Sequence, residues 1–196
     1  MTTVIIIIAV ALVVAAAVYF FLVRGGSAGG GRGLRSRFGP EYDRVLARHG
    51  GDTKAAEQEL GERVKLHGDL EKRPLTEAAR ADYTARWART QEQFVESPQQ
   101  ALNEADALLG DLSRDRGFPA GESFEDRTAA LSVHHAHHVD GYRRVHTARK
   151  DGTGTGTEEM REAFVDARGL FDALLADGPA TRDHGNRQLT KGRGTS

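Results

Sequence analysis

A chain of 196 residues with 27 basic and 28 acidic side chains carries a formal net charge of -1 and has no cysteine. Near-neutral charge argues against the broad basic footprint of a nucleic-acid binder, and the missing thiols exclude disulfides, cysteine nucleophiles and thiolate metal sites. The hydrophobic fraction of 39% is unevenly spread, because one N-terminal run takes a large share and leaves a lean, helix-patterned body.

Residues 1–3 precede an unbroken apolar stretch from Val4 to Val23, VIIIIAVALVVAAAVYFFLV. At about 1.5 Å of rise per residue such a helix covers about 30 Å, the hydrocarbon thickness of a bilayer, and it satisfies its own backbone groups. A transmembrane helix over 4–23 is predicted, with the lipid bilayer as its partner. A cleavable signal peptide would need a basic start, a shorter core and a small-residue exit. Here Met1-Thr2-Thr3 carries no base, Ala15 and Ala17 lie inside the run, and Tyr19, Phe20, Phe21 and Leu22 crowd its end.

Arg24, Arg32, Arg35 and Arg37 follow the run before the first acid, Glu41. Because Lys and Arg are retained on the cytoplasmic side, the flanks predict a single-pass cell-membrane protein with its N-terminus outside and its body cytoplasmic. Export of the body is the alternative. The same arginines serve as a topology signal or lie against anionic lipid, at about 1 kcal/mol each close to the surface.

Glycine-rich sequence marks a basic linker over 24–33 and a Gly/Thr linker over 151–157. Neither has the spacing, the lysine or the preceding strand of a phosphate cradle. Between them, over 34–150, the apolar spacing is helical throughout and no alternating run is long enough for a strand. The fold class predicted is all-α: a small bundle of about five helices behind the anchor and linker, with an appended amphipathic helix over 158–176 and a polar, disordered tail over 177–196.

Pro40 and Pro98 suit first-turn positions, with Glu41 and Asp43 near the positive end of the first helix dipole. The segment from Pro40 to Arg48 turns Tyr42, Val45 and Leu46 inward, and Ala56, Leu60, Val64 and His67 make a weaker stripe. Thr76 is the N-cap of a helix whose Ala79, Tyr83, Trp87, Thr90 and Phe94 fall on one face. Leu102, Ala105, Leu108, Leu109 and Leu112 form the facing stripe, after which Phe118 and Phe124 fold back on the core. Two short helices follow, over Phe124 to Ser132 and His135 to Ala148.

The most chemically suggestive cluster is His134-His135-Ala136-His137-His138. On a continuous helix His134 and His138 stand at i and i+4, where two imidazoles share one cation, so these two are the candidate metal ligands. A closed zinc site wants four ligands and a catalytic one three, and Asp140 and His146 are the nearest additions. The structural alternative turns His135, Val139, Tyr142 and His146 inward and leaves His134, His137 and His138 in solvent. With no HExxH sequence and no GxSxG elbow, no catalytic residue and no cofactor is assigned. The interleaved acids and bases read as solvated i,i+4 faces.

In the last helix Met160, Ala163, Phe164, Ala167, Leu170, Phe171, Leu174 and Leu175 make a broad apolar stripe. It docks on the body, pairs with itself in a homodimer or lies in a partner's groove, and Phe164, Phe171 and Leu174 are the candidate interaction residues.

FGPEYDR at Phe38 to Arg44, RTQEQFV at Arg89 to Val95 and DGYR at Asp140 to Arg143 carry a likeness over about Arg35 to His146. In these the chain resembles a family of small uncharacterised actinobacterial membrane or secreted proteins. That resemblance implies a helical module behind an N-terminal hydrophobic segment and supplies no activity or catalytic residues. The expectation is a non-enzymatic membrane protein whose cytoplasmic helical module is an interaction or scaffold element, the alternative being a histidine-based metal or pH sensor in the envelope.

Overall fold

The computed structural model describes residues 30–119, 123–151 and 154–176. The segment expected to span the membrane, most of the first linker and the tail lie outside the described residues. Within them all regular structure is helical, as the spacing predicts. The helices are α1 (Gly30–Phe38), α2 (Pro40–Arg48), α3 (Thr53–His67), α4 (Glu77–Glu96), α5 (Pro98–Asp115), α6 (Phe124–His134), α7 (Val139–Asp151) and α8 (Thr157–Ala176). Among these, none is long and apolar enough to cross a membrane.

Local signals set most of the boundaries. The Thr76 hydroxyl accepts from the Ala79 amide at 3.1 Å, the Asp52 carboxylate caps α3 and the Ser123 hydroxyl caps α6. Pro40 and Pro98 occupy first-turn positions, as expected. Between α1 and α2 the chain turns at Gly39 with φ +48°, a conformation that costs a residue with a Cβ.

The structure departs from the sequence reading at two places. α1 starts at Gly30, inside the stretch read as linker, because Leu34 and Phe38 pack on α2 and α3 and this outweighs the poor helix propensity of its glycines. α6 continues to His134, His135 is its C-cap, and residues 136–138 form a turn before α7 begins at Val139. The histidine run is therefore a helix junction and not a helix. The last helix, α8, docks on the body as expected, packed along α7 and α5.

The helices enclose two apolar clusters. The larger joins the expected stripes of α4 and α5 to α7 and α8, with Trp87 stacked between Phe164 (ring centroids 5.0 Å apart) and Phe171 (4.5 Å). Phe164, Phe171 and Leu174 are buried there, so the stripe docks on the body, and these side chains face the chain's own core. α7 and α8 approach closely at Gly141, where a Cβ would stand 2.7 Å from the amide nitrogen of Ala167. The smaller cluster gathers Phe38, Tyr42, Val45, Ala56 and Leu60 from α1, α2 and α3 under Val133 and Ala136. α6 feeds both clusters, Leu131 entering the larger and Val133 the smaller.

Candidate functional site

Between the two clusters lies a carboxylate with almost no access to water. Glu41, in the first turn of α2, has a side chain 1% exposed. Arg143 of α7 meets it at two points, Nη1 donating to Oε2 at 2.6 Å and Nη2 to Oε1 at 2.8 Å. Arg63 of α3 donates from Nη1 to Oε1 at 2.7 Å and to the Ser132 hydroxyl of α6 at 2.9 Å. A buried charge is costly unless paired and hydrogen-bonded, and Glu41 is both, twice over. Arg63 stands on the buried face of α3 with Ala56 and Leu60, and Arg143 one turn after Val139 on the buried face of α7.

The network runs outward through Glu59, which accepts from Arg63 Nη2 at 2.6 Å, pairs with His49 Nε2 at 2.7 Å and is also bonded by Arg48. Partial burial pushes the Glu59 carboxyl up, but the bonds from His49, Arg48 and Arg63 together outweigh it and bring it down to about 2.

Above this floor opens a cleft of about 640 Å³, with Arg44, Arg48, Arg143 and Lys150 facing Glu62, Glu125 and Asp126. Burial pulls Arg44 below its ordinary value, with the neighbouring Arg143 adding to the effect, and burial likewise depresses His67. On one wall His146 lies flat on Phe124, ring centroids 3.6 Å apart, and its Nδ1 pairs with Asp106 Oδ1 at 2.8 Å. The other Asp106 oxygen lies 3.2 Å from Arg149 Nε. A carboxylate on one imidazole nitrogen orients the ring toward the cleft through the other. No described residue hydrogen-bonds that second nitrogen. The cleft is built to match charges: its guanidinium groups already face carboxylates, and its walls carry both signs.

The two candidate metal ligands are separated by the helix junction. His134 ends α6 with Nε2 2.8 Å from the His67 carbonyl oxygen and its ring edge-on to Phe118. His138 lies in the turn against Gly169 of α8. The i,i+4 arrangement expected for them does not arise, and among the described residues no group of three His, Asp or Glu is arranged to hold a metal. His135 is buried and His137 and His138 exposed, as the structural alternative has it, whereas His134 is half-buried.

Sequence reasoning missed the Glu41 cluster. Its signal was present, since Arg63 interrupts an apolar stripe and Arg143 directly follows the inward Tyr142. No family model, no curated protein and no solved structure matches the chain.

Proposed function

We propose that this chain is a single-pass membrane protein whose cytoplasmic, all-helical module is a non-enzymatic interaction or scaffold element held at the membrane surface. The observation that carries the reading is the apolar run from Val4 to Val23 with bases on its C-terminal flank alone. α1 supports it: only seven positions separate Val23 from Gly30, at most about 25 Å of extended chain, and α1 is packed on α2, α3 and α6. A module fastened so near an anchor has little freedom to leave the bilayer surface. The charge-matched cleft suits a bracing or docking role better than proton transfer.

The test uses the absence of native cysteine. Ser196→Cys is introduced and cells are treated with a membrane-impermeant thiol reagent, before and after lysis. Labelling after lysis alone is the expected result. Labelling of intact cells would place the module outside and overturn the charge-based orientation.

A further inference from the structure

A second, shallower cleft of about 320 Å³ lies between the end of α1, the 136–138 turn and the last turn of α8. Among the described residues that line it there is no Asp or Glu, and its polar groups come from Arg37, Lys72 and the histidine run. Two of the imidazoles are seated by glycines. A Cβ at Gly39 would stand 2.6 Å from His137 Cε1, and one at Gly169 would stand 2.9 Å from His138 Nδ1. Both rings remain exposed, and none of the described residues hydrogen-bonds them or the Arg37 guanidinium.

A concave site with a guanidinium, two imidazoles and no carboxylate carries the donors an oxyanion needs. The planar fork of Arg37 matches two phosphate oxygens, and an imidazole N–H serves a third. The bordering C-terminal ends of α6 and α8 present carbonyl oxygens, which cannot donate and whose partial negative charge opposes an anion, so recognition falls to the cationic and N–H side chains. His134 takes no part, being bonded to the His67 carbonyl.

Resting on the membrane-anchored reading above, we propose that this cleft holds the phosphate of an anionic phospholipid headgroup in the leaflet beside the module. Arg37 lies seven residues along α1 from Gly30, about 10 Å of helix, so it stands at most about 35 Å of chain from the end of the apolar run, a tether that lets the cleft face the headgroups. The lipid site thus uses the histidines as neutral or charged donors, without a metal.

The full chain is reconstituted in nanodiscs of phosphatidylcholine alone, or of phosphatidylcholine with phosphatidylglycerol. Acylation of imidazoles by diethyl pyrocarbonate is followed by peptide mass spectrometry, with His49, which pairs with Glu59 away from the cleft, as internal reference. In phosphatidylglycerol discs, acylation of His137 and His138 is expected to slow about tenfold while His49 is unchanged. Arg37→Gln, at an exposed position, returns both rates to within about twofold of the phosphatidylcholine values. Arg32→Gln, on the same helix but outside the cleft, leaves the protection in place.

Inorganic phosphate added to phosphatidylcholine discs is expected to protect neither ring. Equal protection by free phosphate would overturn the lipid as the source of the anion. A loss in Arg32→Gln as large as in Arg37→Gln would reduce the effect to diffuse attraction and overturn the site, as would unprotected histidines in a chain that co-elutes with the discs. A chain that does not co-elute overturns the anchoring reading, and the lipid site with it.

Discussion

Glu41 and Arg143 stand 102 positions apart in the chain and meet in a two-point ion pair with almost no solvent access. Replacing Glu41 leaves the buried Arg143 guanidinium without its carboxylate, at a cost of about 3–5 kcal/mol. Glu41→Gln is therefore expected to lower the Tm of the full chain by about 6–20 °C, given about 2–4 °C per kcal/mol at this chain length. Adding Arg143→Gln is expected to cost clearly less than the sum of the two single changes, a coupling that chemical denaturation of the four proteins in one cycle measures.

Trp87 is the sole tryptophan, so its emission reports on the stack directly. Phe171→Ala removes one wall of the sandwich around it and is expected to cost about 3–5 kcal/mol, with emission shifted to longer wavelength as water reaches the indole. An unchanged spectrum and midpoint would contradict the packing of α8 on α4.

Two glycines make an opposed pair. At Gly141 a new Cβ would run into the α8 backbone, so Gly141→Ala is expected to destabilise by about 1–3 kcal/mol as α7 and α8 are forced apart. At Gly61, inside α3, nothing lies within 4 Å of a Cβ, and Gly61→Ala is expected to stabilise by up to about 1 kcal/mol through helix propensity. Urea midpoints of the two variants should move in opposite directions.

The pH dependence follows from Glu59. Its carboxyl is held at about 2 in the folded chain against an ordinary 4.5, so its contribution is complete above about pH 4.5 and is lost as the pH falls toward 2. Over that window the stability of the native chain is expected to fall more steeply than that of Glu59→Gln. Parallel pH profiles of the two would contradict the bonding around Glu59.

Stripes were legible wherever apolar residues recurred at helical spacing, as at Tyr83 and Trp87 in α4 or Leu102 to Leu112 in α5, since burial there depends on the helix's own pattern. Caps such as Thr76 were legible for the same local reason. The extent of α1 was not, because its glycines argue against a helix and only the packing of Leu34 and Phe38 reverses them. Nor was the break after His134, which runs through a sequence with neither Gly nor Pro. The Glu41 cluster depends on helices far apart in the chain: from position 41 alone the acid reads as an ordinary first-turn residue, and only α3, α6 and α7 together make it a buried one.

The distance in sequence between Glu41 and Arg143 also sets an order of events during synthesis. At about 5–20 residues per second, Glu41 is made some 5–20 s before Arg143 exists. Of its two partners in the finished fold only Arg63 precedes α7 in the chain, and a carboxylate with one partner still missing is costly to enclose. The buried pair is thus completed only once α7 has been made, well after the helices that carry Glu41 and Arg63, while the larger cluster still waits for α8.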